Sequence, residues 1–258
     1  MTNAVIDCLM NHRSIRKFKS KPIEPEKLDL ILNAGIRAAT AGNLQPYSMV
    51  VVDDIEKKRA LFGGRGGRDD APFYRPIWII ALVDQYRMKR WLELNDAPFY
   101  NDRICNVLIS FWDAIIALHN MVVAAESLGL GTCYIGNVLS FDIQRVLETP
   151  EYVFPAGMVM IGYPDESPEL RPRLPLQAVV HRNSYHLPTD DEIRAFYREK
   201  DKEWEELPEE RKRYFEKRGI TNKAQERTIG HYTERFIMGE SKKILENLEK
   251  AKFKLTVE

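Results

Sequence analysis

The sequence is poor in cysteine and has no excess of either charge. Its three cysteines, Cys8, Cys105 and Cys133, form an odd set without Cys-x-x-Cys spacing. This pattern argues against a disulfide framework and a zinc site, and it favours the reducing cytoplasm. Lysine and arginine together number 38, as do aspartate and glutamate, so the net charge gives no reason to expect nucleic acid or an anionic membrane as a partner.

Membrane and nucleotide-loop signals are also missing. No basic flank followed by an apolar segment opens the chain, and apolar runs such as residues 77–83 are short, so we expect neither a signal peptide nor a membrane span. The GGRGGR stretch at residues 63–68 lacks the spacing of a phosphate loop, and we interpret it as a surface loop. No GxGxxG motif opens a βαβ unit, which argues against FAD.

A cluster of polar residues, HRSIRKF at residues 12–18, follows a predicted amphipathic helix with Val5, Ile6, Leu9 and Met10 on its inner side. Two arginines, a histidine and a hydroxyl within five residues suit a multiply charged oxyanion, because guanidinium groups match phosphate oxygens in charge and geometry. The alternative for this cluster alone is a solvated basic turn.

Two later stretches add to this cluster: AGNLQPY at residues 41–47 and RPRLP at residues 171–175. In this order, the three segments resemble the FMN-dependent nitroreductase family, from about residue 3 to residue 186. The resemblance implies an α+β fold with a central, mainly antiparallel sheet flanked by helices on both sides. It also implies a homodimer with two FMN sites at its interface. The long apolar pattern at residues 103–127 would then form the helix at the centre of the dimer.

The resemblance assigns FMN contacts to eleven residues. Asn43 and Gln45 would read the pyrimidine edge of the flavin, since a carboxamide offers both donors and acceptors. A backbone N–H near Gly136 would point at ring atom N5, with Ile135 and Asn137 beside it. The residues implied at the phosphate are His12, Arg13, Ser14, Arg16, Arg171 and Arg173. No side chain is assigned as a nucleophile, acid or base.

The implied activity is electron transfer from NADH or NADPH, through FMN, to a small organic acceptor such as a nitroaromatic or a quinone, by a ping-pong mechanism. Reductive dehalogenation, flavin fragmentation and flavin binding without turnover remain alternatives. Residues 84–102, rich in aromatic and charged groups, form either a lid over the flavin or a surface helix with its aromatics turned inward. Asp113 and His119 are expected to be satisfied core polar groups, and Cys133 a buried strand residue.

The last part of the chain is much richer in charged residues than the rest, although its own charge is balanced. We therefore divide the chain into an FMN-binding domain at residues 1–188 and a helical C-terminal extension at residues 189–258. Helices are predicted at about 190–206, 208–218 and 222–250. Because the extension carries many aromatic residues, we expect it to wrap around the partner subunit and help to cover its flavin.

Overall fold

The computed structural model describes residues 3–62 and 73–255, so the loop predicted at residues 63–68 lies outside the described part of the chain. The four strands are β1 (Tyr47–Val52), β2 (Ile77–Asp84), β3 (Gly131–Ile135) and β4 (Val153–Gly162). The first six helices are α1 (Ala4–Met10), α2 (Pro25–Ile36), α3 (Ile55–Phe62), α4 (Gln85–Glu93), α5 (Ile104–Ser127) and α6 (Ile143–Leu147). The later ones are α7 (Asp190–Glu205), α8 (Glu209–Glu216), α9 (Lys223–Gln225) and α10 (Glu234–Lys250).

The strands form one antiparallel sheet in the order β1-β2-β4-β3. Its two central strands are apolar except for Asp84 at the end of β2. Successive side chains of a strand point to opposite faces. In β2, Ile79, Ala81 and Val83 join the core under α5, while Trp78 and Ile80 join a second core on the other face. The sheet is therefore buried on both sides, which confirms the predicted architecture.

Helix α5 confirms the long helix predicted at residues 103–127. By length and composition alone it would suffice to cross a membrane. Its inner side, however, includes the fully buried Leu118 and Met121, which pack in the core of the sheet. Gly35 lets α2 pack closely against α5, since a Cβ atom at Gly35 would lie 2.6 Å from Cγ of Met121. The helix is thus a core helix of this fold.

The chain divides into two compact units. The first contains the residues up to Leu170 together with those from Ser241 onward, and the second is Arg171–Glu240. This division differs from the predicted boundary at residue 188. Ala251 and Phe253 are buried in the core of the first unit, and the Tyr152 N–H donates to the Ala251 carbonyl at 2.8 Å. The end of the chain therefore belongs to the sheet core, although the predicted division placed it in the C-terminal extension.

The second unit is helical, as predicted, and it has a small core around Phe215 and Ile220. Thr189 begins α7 with a capping box, in which its side chain and that of Glu192 satisfy two backbone N–H groups. The prediction of one continuous helix at residues 222–250 is wrong. The helical pattern is interrupted after a π-helical turn at Glu226–His231. A new helix, α10, follows this turn, and the Thr233 hydroxyl accepts from the Phe236 N–H at its start.

Lys58 of α3 is a buried cation whose loss should destabilise the fold. Its side chain is 3% exposed, and Nζ donates to the carbonyls of Tyr74 at 3.1 Å and Pro76 at 2.8 Å. Burial lowers the pKa of this ammonium group, with the charges of Asp53 and Asp54 opposing the shift. We expect Lys58→Met to lower the free energy of unfolding by about 1–3 kcal/mol, because both carbonyls lose their donor.

Urea denaturation of the Lys58→Met variant checks this expectation. The neighbouring Lys57 is exposed, so the Lys57→Met control should change the free energy of unfolding by less than about 0.5 kcal/mol. Equal free energies of unfolding for the two variants would contradict a stabilising role for the Lys58 side chain.

Candidate functional site

The segment at residues 12–18 runs along β3 directly after α1. The Ile15 N–H donates to the Thr132 carbonyl at 2.8 Å, and Ser14 forms a parallel bridge with Thr132. Ile15 and Phe18 are buried, and they anchor the segment from its inner side. The polar side chains between these anchors are therefore carried on an ordered backbone.

Two carboxylates hold this segment in place. Glu166 Oε1 accepts from the backbone N–H groups of Arg16 at 2.5 Å and Lys17 at 3.0 Å, and these hydrogen bonds lower the pKa of Glu166. Glu126, near the end of α5, accepts from His12 Nδ1 at 2.8 Å and from the Thr132 hydroxyl at 2.5 Å. Neither Glu126 nor Glu166 was predicted to contribute to the site.

The four predicted phosphate ligands of this segment differ in their present partners. His12 faces Glu126, while the Arg13 guanidinium donates to the carbonyls of Asn11 at 3.2 Å and Pro168 at 3.1 Å. Arg16 is exposed, and among residues 3–62 and 73–255 its guanidinium makes one long hydrogen bond, of 3.5 Å, to the Ser14 carbonyl. Arg16 is thus the guanidinium of this segment that is most available to an anion.

A cavity of about 440 Å³ lies beside the same segment. Arg13 lines it, but so do three carboxylates, those of Asp7, Glu126 and Glu166. Like charges disfavour one another in a partly enclosed space. This cavity is therefore poorly suited to a phosphate, and an anion would have to approach the segment from another side.

Cys133 lies on β3 under the polar segment and is buried, as predicted. Burial raises the pKa of its thiol, while the Arg16 charge and a hydrogen bond from Ser14 act in the opposite direction. Because the thiolate is the reactive form of cysteine, this thiol is a packing group and not a nucleophile.

A loop before β1 carries Asn43 and Gln45. Gly42, Asn43 and Gln45 have positive φ values of 58°, 56° and 49°, a left-handed conformation that is uncommon for residues other than glycine. Gln45 Nε2 donates to Asn43 Oδ1 at 3.0 Å, so the two carboxamides form a pair. The Asp113 carboxylate accepts a hydrogen bond from the Thr40 hydroxyl, at the start of this loop. This confirms the prediction that Asp113 is a satisfied polar group. His119, in contrast, is exposed, so the prediction for that residue is wrong.

The residues predicted to lie near N5 of the flavin, Ile135, Gly136 and Asn137, are the last residue of β3 and the two that follow it. Gly136 is exposed, and a Cβ atom there would meet nothing within 4 Å, so its backbone is open to a flat ligand. Gly131, at the start of the strand, is enclosed instead, since its Cβ would lie 2.9 Å from Cβ of Ile15. Gly131 therefore allows close packing of the polar segment, whereas Gly136 leaves free space beside its backbone.

Sheet topology relates these segments to one another. Strands β1 and β3 run antiparallel on opposite edges, so the loop before β1 and the turn after β3 lie at the same end of the sheet. Two intervening strands separate the edges by about 14 Å. The structure thus joins residues 12–18 to β3, and it places Asn43 and Gln45 on the opposite edge. Arg171 and Arg173 open the second unit, where both are exposed.

The region predicted as either a lid or a surface helix contains α4. Gln85 and Met88 are buried on its inner side, while Tyr86 and Trp91 are exposed. Trp91 lines a cavity of about 260 Å³ together with Gln45, Arg87 and Met88. The helix therefore has one packed side and one aromatic side beside the Gln45 loop.

Comparison with known proteins gives matches along the whole chain. The profile of the nitroreductase family matches residues 9–100 and 106–163. The FMN reductase [NAD(P)H] of Bacillus subtilis is 34% identical over 262 aligned residues, which cover 98% of this chain and 99% of the relative. The FMN reductase (NADPH) of the same organism is 35% identical over 196 residues, covering 73% of this chain and 77% of the relative.

A solved structure agrees with these matches. The NADPH:FMN oxidoreductase from Vibrio harveyi, complexed with NAD+, superposes with a TM-score of 0.72 at 30% identity, and the alignment covers 94% of this chain and 98% of that one. The fold, the order of the three polar segments and these matches agree: the chain belongs to the nitroreductase family.

Proposed function

We propose that this protein is a cytoplasmic, FMN-dependent oxidoreductase that takes electrons from NADH or NADPH. It passes them to a small organic acceptor, nitroaromatic or quinone-like, in a ping-pong order in which the oxidised nicotinamide leaves before the acceptor binds. The observation that carries this proposal is the end-to-end match, over 98% and 99% of the two chains, to an FMN reductase [NAD(P)H].

The residues present fit FMN chemically. An exposed guanidinium, on Arg16, suits a terminal phosphate, and the carboxamides of Asn43 and Gln45 suit the alternating donors and acceptors of a pyrimidine edge. The open space at Gly136 suits the close approach of a planar ring. Bound FMN would supply the redox chemistry, by accepting a hydride and giving electrons onward.

The chain's own residues would bind and orient this cofactor. We assign the phosphate to His12, Arg13, Ser14 and Arg16, and on the sequence resemblance alone to Arg171 and Arg173. Glu166 fixes the backbone of this segment at Arg16 and Lys17, and Glu126 holds the His12 side chain. Ile135 and Asn137 flank the backbone that would face the ring. We propose no side chain as an acid or base.

We also infer that the protein is a homodimer with FMN at its interface, in two sites. Helix α5 leaves an apolar stripe exposed, with Leu108 54%, Trp112 55% and Ile116 41% accessible. Four residues of α1 that were predicted to lie inward are exposed as well, so the prediction of a buried side for α1 is wrong in the single chain. These residues are Val5, Ile6, Leu9 and Met10. A second copy would cover these surfaces, and it would supply one of the two groups of flavin residues that lie on opposite sheet edges.

Light scattering of the purified protein tests the dimer. We expect twice the mass of one chain for the unmodified protein and a shift towards monomer for Trp112→Glu, because a charge would be buried in an apolar interface. A monomeric wild-type protein would rule out the shared sites.

Flavin analysis and anaerobic reduction test the proposed function. Chromatography of the flavin released by heat should give FMN, and a FAD peak or no flavin would overturn the proposal. Addition of NADH or NADPH without oxygen should bleach the flavin absorbance band, whereas a protein that only binds flavin should keep it. Parallel lines in double-reciprocal plots, with nitroaromatic and quinone acceptors, would support the ping-pong order. Halide release or consumption of the flavin would favour the two alternative reactions.

A further inference from the structure

The loop at residues 40–46, which leads into β1, is tied to α5 at its beginning. Asp113 is 2% exposed, and its Oδ2 accepts from the Thr40 hydroxyl at 2.7 Å and from the Ala41 N–H at 3.0 Å. The Thr40 oxygen in turn accepts from the Gln45 N–H at 3.0 Å. The Thr40 hydroxyl is thus a link between a buried carboxylate and the residue that carries a predicted flavin-reading side chain.

The same loop is tied to α4 at its other end. Arg87 Nη2 donates to the Gln45 carbonyl at 2.5 Å and to the Tyr47 carbonyl at 2.9 Å. Arg87 is itself held, because its backbone N–H donates to Asp84, the residue that caps α4. Gln45 is therefore fixed through its N–H by Thr40, which Asp113 of α5 holds in turn, and through its carbonyl by Arg87 of α4.

Such anchoring has a physical purpose, since this loop contains left-handed residues. Asn43 and Gln45 have positive φ values, and a side chain makes that conformation costly unless the surroundings impose it. A loop without its anchors would relax to more common backbone angles, and the two carboxamides would separate. A ligand read by both carboxamides would then have to restore their arrangement on binding, at the expense of affinity.

We propose that Thr40 and Asp113, together with Arg87, are positioning residues that hold Asn43 and Gln45 in the conformation required by the flavin edge. The inference rests on the proposed function, and it adds residues that make no contact with the ligand themselves. Asp113 contributes to this network as a hydrogen-bond acceptor, and its negative charge is not required to hold the loop.

The test uses two variants at Thr40, of which the first is isosteric with the wild-type side chain. Thr40→Val removes the hydroxyl and keeps the shape, and Thr40→Ser restores the hydroxyl. Loss of the link should raise the FMN dissociation constant of the apo-protein about threefold to tenfold, the range expected for one net hydrogen bond. Amide hydrogen exchange at residues 41–45 should become faster in Thr40→Val, and Thr40→Ser should return both quantities towards the wild-type values.

At Thr40, the proposal would be overturned by wild-type affinity and exchange in Thr40→Val, or by a Thr40→Ser variant as defective as Thr40→Val. Asp113→Asn keeps an acceptor oxygen but removes the charge, so it should bind FMN within about threefold of wild type. A loss in Asp113→Asn as large as in Thr40→Val would assign the effect to charge, against the proposal.

Arg87→Met provides an independent variant on an exposed position, in case the Thr40 variants fold poorly. It should also weaken FMN binding and speed exchange at residue 45, and Arg87→Lys should recover part of the loss. Unchanged values for Arg87→Met would exclude Arg87 from the network. If the wild-type protein binds no FMN, the proposed function fails, while hydrogen exchange in the same variants still tests whether the anchors hold the loop.

Discussion

Replacing Phe253 with alanine should lower the free energy of unfolding by about 3–5 kcal/mol, the usual cost of removing a large buried aromatic side chain. Phe253 is 6% exposed, and it belongs to the core between α5 and the sheet. Its ring meets that of Tyr152, edge to face, at a centroid distance of 6.2 Å. The cavity left by alanine would therefore open in the main core of the first unit.

The backbone around Phe253 makes this site rigid, so collapse of the cavity should be limited. The Lys254 N–H donates to the Asp102 carbonyl at 2.9 Å, and Lys254 Nζ lies 3.0 Å from the Asp102 carboxylate. Equilibrium denaturation in urea measures the effect. Leu255→Ala, two residues away and 37% exposed, is a matched control that should cost less than about 1 kcal/mol. If both variants unfold at the same urea concentration, the end of the chain does not contribute to this core.

This placement of the chain end decides how the extension is to be tested. A chain ending at residue 188 would lose Ala251 and Phe253, so its failure to bind flavin would report a damaged core. The proposal that residues 189–258 cover the partner's flavin instead needs point substitutions in the second unit. Tyr232 and Met238 are exposed there. We expect Tyr232→Ala and Met238→Ala to raise iodide quenching of flavin fluorescence while leaving the melting temperature unchanged.

The parts of the fold that follow from local periodicity were predictable. The apolar runs of β2 and β4 and the long pattern of α5 are strong signals, because a buried strand or helix must be apolar where it packs. The break before α10 was not predictable in the same way. It depends on a π-helical turn and on a cap by Thr233, which compete with an otherwise good helical pattern. The exposed side of α1 was missed because an apolar face in the sequence does not show what packs against it.

The candidate site was likewise predictable only where its signals are local in the sequence. Its segments were visible as short motifs, but the carboxylates that hold them were not. Glu166 lies 150 residues from Arg16, and Glu126 lies 114 residues from His12, so no local pattern links them. Asp113 had the best signal of the three, because an acidic residue among the apolar positions of a core helix needs a partner. The identity of that partner, a loop 72 residues earlier, required the structure.

Arg16→Ala should weaken FMN binding about tenfold to a hundredfold, since a hydrogen bond to a charged group contributes roughly 1.5–3 kcal/mol. The structure separates this effect from stability. The Arg16 side chain is exposed, and its one hydrogen bond within the described part of the chain is a 3.5 Å contact with the Ser14 carbonyl. The backbone of Arg16 is held by Glu166 through an N–H group that alanine retains. The melting temperature of the apo-protein should therefore stay at the wild-type value.

Two neighbours of Arg16 provide the controls. Lys17→Ala removes an exposed cation next in sequence, and it should change FMN affinity by less than about threefold if position matters more than local charge. Arg13→Ala should lower both affinity and melting temperature, because the Arg13 guanidinium bridges the carbonyls of Asn11 and Pro168. Arg16→Lys should recover only part of the affinity, since an ammonium group lacks the planar fork of a guanidinium.

Titration of the apo-protein with FMN, followed by fluorescence quenching, gives the dissociation constants, and thermal melts of the same samples give stability. Raising the salt concentration should weaken binding to the wild-type protein more than to Arg16→Ala, because one charged contact with the phosphate is already lost in the variant. Wild-type affinity in Arg16→Ala would remove this residue from the phosphate site. The assignment would then pass to Arg13, whose guanidinium would have to leave its two carbonyl partners to reach an anion.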